Sequence, residues 1–363
     1  MTWATQGGVD NDFGVVTEVG DASRMDDYAT LADLPRRPQI VPGMTVLRRR
    51  PDEVQVGLDP TRATVVRGLP EPVVAVLGTL HGHRTTEDLL AEVGPHRSTL
   101  SAVLAGLVHK GLVRDAEAGG LPSRLLGEDR PGRRRGAAVA VYGDGRLAIS
   151  VARLLTAAGV GWVHVAARGA VQPEDTGTGY EIDDVGLARA SAAIQALRRI
   201  DRSVRTGRFS PRRRPDLVLL TDAVVPDPDL AGRLTADGVP HLAVHVRDGL
   251  GVVGPLVVPG LTSCLRCADL HRTALDMCWP AIATQLAGRP QLADLACTQA
   301  TAAFAAAQAL DALKWARDSA PRPRTWNATA EIDVVTLRSH FRGWRPHPEC
   351  ACGAHVARPT ACP

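Results

Sequence analysis

Four of the seven cysteines fall in two close pairs, Cys264-Leu265-Arg266-Cys267 and Cys350-Ala351-Cys352. Two such pairs supply four thiolates, a full tetrahedral shell for zinc. With every position filled by protein, no open site is left for catalysis, so the expected metal is structural. It would close a loop of more than eighty residues and hold the later part of the chain against the earlier part. A redox role for Cys264 and Cys267 leaves the second pair unexplained. His347 or His355 is the alternative fourth ligand. Cys278 and Cys297 stand in apolar, helical surroundings and read as core residues. Cys362 has no assigned role.

A second group of residues has the spacing of a nucleotide turn. Gly143-Asp144-Gly145-Arg146-Leu147-Ala148 follows an apolar run and opens a helical pattern. Such a GxGxxA turn lets backbone amides approach phosphates at a helix N-terminus. Asp144 between the glycines would repel a phosphate. Asp222 ends a later apolar run, DLVLLTD, where open α/β sheets place their ligands. In a nucleotide enzyme it would hold Mg²⁺, and otherwise it is a loop acid or helix cap.

These residues need a scaffold, and the pattern from 137 to 363 provides one. Apolar runs at 138–143, 161–167, 216–222 and 241–246 alternate with amphipathic helical stretches at 146–158 and 184–200. An Ala-rich helix (293–317) and a long strand (329–339) follow. Apolar strands alternating with helices predict a parallel sheet covered on both faces, a Rossmann-type α/β domain. Before it, residues 36–115 read as a winged helix-turn-helix domain. Its strands are 45–49, 53–57 and 63–68, its helices 72–80, 86–93 and 98–111, and a returning strand lies at 112–114. Thr85 or Thr86 would cap the second helix, and Gly111 would stop the third. Residues 1–35 are polar and acidic and read as a mobile arm, and Met25 is a possible alternative start. Residues 116–136, rich in Gly, Pro and Arg, read as a linker.

The chain has 363 residues and a formal net charge of +3, too mild to imply nucleic acid by itself. It has no apolar stretch long enough to span a membrane and no secretory signal pattern, and seven cysteines without such a signal predict a reducing cytoplasm.

The run from 137 to 352 resembles the ThiF/MoeB/HesA adenylyltransferases, which activate ubiquitin-like carriers. The resemblance lies in the GDGRLA turn, DVGLARA, DLVLLTD, VPGLTSCLRC and the late cysteine pair. It implies that Gly143, Gly145, Ala148 and Asp222 serve ATP and magnesium, and that Cys264, Cys267, Cys350 and Cys352 bind zinc. Three departures count against adenylation. No acid follows the second strand, where Val165-Ala166-Ala167-Arg168 stands. The Asn-Leu-x-Arg-Gln segment is replaced by Pro173-Glu174-Asp175-Thr176-Gly177-Thr178-Gly179. Arg189 stands where the family has a catalytic Lys, keeping the charge but not the compact ammonium. The candidate catalytic residues are therefore Asp222 and Arg189 alone.

The span from about 36 to 353 is similar to one branch, the ThiF-like leader-peptide-binding partner of azoline cyclodehydratases. RPQIVPGMTVLRR, PGLTSCLRCADLHR, DMCWPAIATQL and WRPHPECAC carry this similarity. It implies a PqqD-like element that grips a precursor leader peptide, and a YcaO-type enzyme as partner. The expected function is a leader-binding scaffold with a degenerate nucleotide site, in a homodimer. The alternatives are a working adenylyltransferase and, less favoured, a DNA-binding regulator; the third helix lacks the Arg, Asn and Gln that base readout uses near a helix start. An extended peptide could add to the third strand of the small domain if that strand is an edge, with Arg62 and Arg67 beside it and helix 98–111 as the other wall. Leu104 is the candidate groove residue on that helix.

Overall fold

A computed structural model of the chain describes residues 16–18, 34–41, 43–58, 63–116, 134–210, 213–291, 293–318 and 320–354. Arg62, His355, Cys362, both candidate start methionines and most of the expected linker lie outside the described residues. The chain divides into two compact units, Met1–Ser123 and Arg124–Pro363.

The first unit contains β1 (Val16–Glu18), β2 (Pro38–Ile40), β3 (Val46–Arg50), β4 (Glu53–Val56), β5 (Thr64–Arg67), α1 (Glu71–Leu77), α2 (Thr86–Glu92), α3 (Arg97–His109) and β6 (Val113–Asp115). One sheet has the order β1-β5-β4-β3, and β2 pairs with β6. Local rules account for the helices. Pro70 and Pro72 stand at the start of α1, where no backbone donor is needed. Thr85 and Asp88 form a reciprocal capping box on α2. The α3 helix ends at Gly111 (φ 65), with the Leu112 amide donating back to the Leu107 carbonyl at 2.8 Å. Leu100, Val103, Leu104 and Leu107 recur at helical spacing and are buried against Val54, Val56, Val73, Leu77, Leu89 and Leu90.

Three expectations change here. The third strand, β5, is not free on its outer side, because β1 lies along it in parallel. The arm expected to lack structure thus supplies that strand. Leu104 has no exposed surface and belongs to the core, not to a groove. An interior charge also appears in this sheet: Glu53 is buried and faces Arg49 at 3.1 Å, Arg67 at 3.5 Å and Arg50 at 3.7 Å. A buried carboxylate persists only when paired, so Arg67 has a structural task.

The second unit contains β7 (Ala138–Tyr142), α4 (Arg146–Ala157), β8 (Trp162–Ala166), α5 (Arg189–Ile200), β9 (Leu217–Thr221), α6 (Pro228–Ala236), β10 (His241–Arg247), β11 (Leu250–Val257), α7 (Leu265–Leu275), α8 (Trp279–Leu286), α9 (Leu295–Asp318), β12 (Ala328–Asp333) and β13 (Arg338–Gly343). The sheet order is β13-β12-β11-β10-β9-β7-β8. Strands β7 to β10 are parallel, as their apolar runs predict. The remaining three are antiparallel, so the sheet is mixed, not parallel throughout. Alternate residues feed two cores. Val139, Val141, Leu217 and Leu219 pack with α4, α5 and α9, whereas Ala140, Val218 and Leu220 pack with α6.

The expected strand 329–339 is a hairpin. Asp333 accepts from the Val335 and Thr336 amides and turns the chain, and Leu337 takes φ 55. The expected helix 184–200 starts only at Arg189, since Gly186 at φ 88 interrupts it. Cys278 is exposed, not core, because α8 buries none of its residues.

Leu104→Ala is expected to destabilise the first unit by about 2–5 kcal/mol. Urea unfolding of the full chain would show it as a lowered first transition, and an unchanged transition would contradict core placement.

Candidate functional site

Strand β7 has β8 on one side and β9 on the other, so the crossovers leave it in opposite directions. That switch point is where open α/β sheets form a ligand crevice. The glycine turn, Gly143 to Gly145, leaves β7 there and runs straight into α4, with Gly145 as its N-cap.

The amides at this helix start are already in use. The Asp222 carboxylate lies across the turn and accepts from the Gly145 amide at 3.1 Å and from the Ala148 amide. The Thr221 hydroxyl is 3.1 Å from the same carboxylate oxygen and 2.9 Å from the Tyr142 carbonyl. A Cβ at Gly143 would meet Thr221 Oγ1 at 2.0 Å and Asp222 Oδ2 at 2.2 Å. Glycine is thus required by the chain's own side chains. Asp222 has φ 73, and the Ala223 amide donates to the Thr221 carbonyl at 2.9 Å, so Asp222 heads the rarer of the two γ-turns. A strained backbone therefore aims a buried acid at a helix N-terminus.

Burial pushes the Asp222 carboxyl up to about 6, opposed by hydrogen bonds from the Gly145 amide and the Thr221 side chain, while Asp144 adds to the rise. Asp144 is also held, accepting from the Arg168 amide at 2.5 Å. Arg168, which follows the second strand, thus takes part through its backbone.

Arg189, the residue in the lysine position of the resemblance, starts α5. Its Nε and Nη2 donate to Asp175 Oδ2 at 2.9 and 2.7 Å, and its Nη1 donates to the Arg168 carbonyl at 3.0 Å. Both side chains of this ion pair are mostly buried. Tyr180, fully buried, donates to the Arg189 carbonyl at 3.3 Å, and burial drives its phenol well above the usual range. The segment 173–179, which stands where an arginine-bearing stretch was missed, therefore supplies Asp175 to hold Arg189 in place. Sequence reasoning overlooked Asp175 and Tyr180. The available signal was Gln172-Pro173-Glu174-Asp175, whose ends form a capping box.

These residues do not fit ATP and magnesium as they stand. A phosphate approaching the α4 amides would meet the Asp222 carboxylate, with Asp144 adjacent and the Arg189 charge committed to Asp175.

The second centre lies at the start of α7. Cys264 is the N-cap residue, and Cys267 lies one turn further on the same face. Cys350 and Cys352 follow β13. The Sγ atoms are 3.5 Å apart for Cys264 and Cys350, 3.6 Å for Cys267 and Cys352, and 3.8 Å for Cys264 and Cys267. A tetrahedron of thiolates about 2.3 Å from a metal has edges of about 3.8 Å. No disulfide spans such distances. All four ligand atoms lie within 4.8 Å of one another, so the cluster is built to hold a metal ion. Val257 packs against it, and the Thr262 hydroxyl accepts from the Val258 amide at 2.7 Å to fix the entering turn. The His347 ring instead accepts from the Glu349 amide at 3.2 Å.

The unit with this glycine turn, mixed sheet and thiol cluster has the ThiF-like α/β fold. Among solved structures, MccB of E. coli with ATP superposes with a TM-score of 0.63 at 14% identity, covering 87% of this chain and 99% of that one. The microcin C7 biosynthetic enzyme MccB in complex with N-formylated MccA superposes at 0.62 and 14%, with the same coverage. PaaA superposes at 0.57 and 14%, covering 83% of this chain and 98% of that one. At these identities the likeness is one of fold. No family profile and no curated protein matches the chain by sequence.

Two outcomes follow. Cys350→Ser is expected to lower bound metal from about one ion per chain to well below it, with loss of stability in the second unit, measured by elemental analysis and thermal melting. Intact protein with no metal would contradict the centre. Asp222→Asn tests the buried acid. The folded pKa is raised above the unfolded value, so the parent holds its proton more tightly when folded. Its stability is therefore fullest below about pH 4 and falls as pH rises to about 6. The Asn variant keeps an acceptor and tolerates the backbone. It should show a flatter pH profile over that window, so that between about pH 4 and pH 7 its stability relative to the parent improves by on the order of 1–3 kcal/mol. An unchanged profile would contradict the burial argument.

Proposed function

We propose that this chain is a leader-peptide-binding scaffold for a YcaO-type cyclodehydratase in azoline peptide biosynthesis, with a nucleotide site that no longer supports adenylation. In this reading the first unit is a PqqD-like winged helix that takes the leader. The second unit carries zinc on Cys264, Cys267, Cys350 and Cys352 and acts as a platform, in a cytoplasmic homodimer. The observation that carries the reading is the Asp222 carboxylate lodged on the amides of the glycine turn, since adenylate formation needs that place for phosphate. MccB, a protein of the same fold, has been solved with its MccA peptide, which supports a peptide as the ligand here. MccB has also been solved with ATP, and this favours the second reading, an active adenylyltransferase.

The two readings part on one pair of measurements. Full-length protein is titrated with a precursor peptide encoded beside its gene, and ATP–pyrophosphate exchange is followed with the same peptide. The scaffold reading expects binding at micromolar concentration or tighter, and exchange no faster than in protein-free controls. Robust exchange would replace it with the adenylyltransferase reading, and no binding would remove it.

A further inference from the structure

Strand β8 is the last in its sheet, and among the described residues its outer side is paired at one bridge, Trp162 with Arg205. The stretch after α5 makes that bridge. The Arg205 amide donates to the Gly161 carbonyl at 3.0 Å, and the Val163 amide donates to the Arg205 carbonyl at 2.9 Å. Trp162 Nε1 donates to the Gly207 carbonyl at 2.8 Å, and His164 Nδ1 is 3.2 Å from the Thr206 carbonyl. Val204 and Thr206 are buried, so the alternation of an extended chain turns Arg205 outward. These contacts fix the stretch as a rim along the sheet.

The charge of this rim is one-sided. Residues 198–208 contain five arginines (Arg198, Arg199, Arg202, Arg205 and Arg208) against one acid, Asp201, a net +4. The whole chain carries +3, so everything else sums to −1 and the excess is local. The nearby acids are already engaged. Asp201 faces Arg135 at 3.2 Å and accepts from the Ser203 amide, and Asp184 faces Arg199 at 3.4 Å. Arg198, Arg202 and Arg208 are exposed and have no carboxylate partner among the described residues. Arg205, also exposed, has an aromatic partner instead, its guanidinium lying 4.7 Å from the centre of the Trp162 ring. Soluble surfaces usually intersperse the two signs, because like charges left together repel. Four guanidinium groups without a carboxylate leave this rim open to anionic groups from outside.

The aromatic residues decide which anion suits it. Single-stranded nucleic acid binds basic surfaces by stacking its bases on open ring faces. Here the Trp162 ring is covered by Arg205, and the Phe209 ring is 4.5 Å away at a tilt of 32°. His164 stands edge-on to Phe209 at 6.1 Å. These rings hold the rim and leave little face for a base. A carboxylate needs no ring face, since a guanidinium takes it through two parallel hydrogen bonds. We propose that this rim docks an acidic segment of a partner protein, whose Asp and Glu side chains pair with Arg198, Arg202, Arg205 and Arg208. The backbone of the rim is fixed beforehand, which lowers the ordering cost of binding. The rim lies in the second unit and does not depend on the leader-binding reading, so either can fail alone.

The test uses the full-length protein and three fluorescent probes: a short synthetic peptide alternating Glu and Ala, the same peptide with Gln for Glu, and a short single-stranded oligothymidine. Arg202→Gln combined with Arg208→Gln removes two charges and leaves the backbone contacts of 205–207 in place. Arg97→Gln combined with Arg338→Gln removes the same charge from exposed positions elsewhere. The Glu peptide is expected to bind the parent at low salt and to lose about five-fold or more in affinity with the first pair, against less than about two-fold with the second. Both double variants should melt with the parent. Arg198→Gln alone, at the end of α5, should weaken binding by about two-fold and serves if the first pair fails to fold. The Gln peptide should not bind. No binding of the Glu peptide, or an equal loss in the two double variants, overturns the proposal. Equal binding of the Gln peptide overturns the role of charge. Tighter binding of the oligothymidine, with the same dependence on Arg202 and Arg208, replaces the acidic protein with nucleic acid as the ligand.

Discussion

The backbone amides that open a helix need an acceptor, and at α4 that acceptor is the Asp222 carboxylate. Much of the second unit is arranged around this contact. Thr221 and Asp222 leave β9 through a strained turn to reach it, and Gly143 must lack a side chain to admit it. Asp144 reaches across to the Arg168 amide and so joins the loop after β7 to the loop after β8. Arg189 then ties the Arg168 carbonyl to Asp175. The crevice at the switch point is thereby closed by mutual hydrogen bonds among loops that, in an open site, would face a ligand. A buried ion pair such as Arg189–Asp175 adds little net stability but strongly disfavours the loss of either partner. It serves to hold one arrangement of these loops.

The thiol cluster sets a different constraint. Cys264 and Cys267 enter from the turn after β11, and Cys350 and Cys352 from beyond β13. Between them lie α8, which buries nothing, the long α9 and the edge hairpin. A metal there converts an edge held by hairpin hydrogen bonds into one anchored at both ends.

Features with local signatures were legible in the sequence. The cysteine spacing marked the four-thiol cluster. Apolar runs marked β7 to β10, and Thr85 and Gly111 marked helix ends that the structure keeps. Features that depend on distant partners were not legible. Strand β11 contains Gly254-Pro255, which reads as a turn until β10 and β12 enclose it. Asp175 sits in a stretch without periodicity, and only its contact with Arg189 gives it meaning. Strand β1 is too short for any pattern, and its partner lies far along the chain. Cys278 and Leu104 erred in opposite directions for one reason. Apolar neighbours in sequence do not say which helix face the fold covers, and it covers that of α3 and leaves α8 bare.

The distance between the cysteine pairs also has a temporal side. Cys264 and Cys350 are 86 positions apart. At a synthesis rate of about 5–20 residues per second, the first pair leaves the ribosome roughly 4–17 s before the second. During that interval β7 to β10 and their helices can assemble, while two thiols wait exposed for ligands not yet made. A metal captured early would be held by only two sulfurs and readily surrendered to cellular thiols. A four-thiolate shell therefore becomes available only after Cys350 and Cys352 are made, when the residues of β12 and β13 already exist.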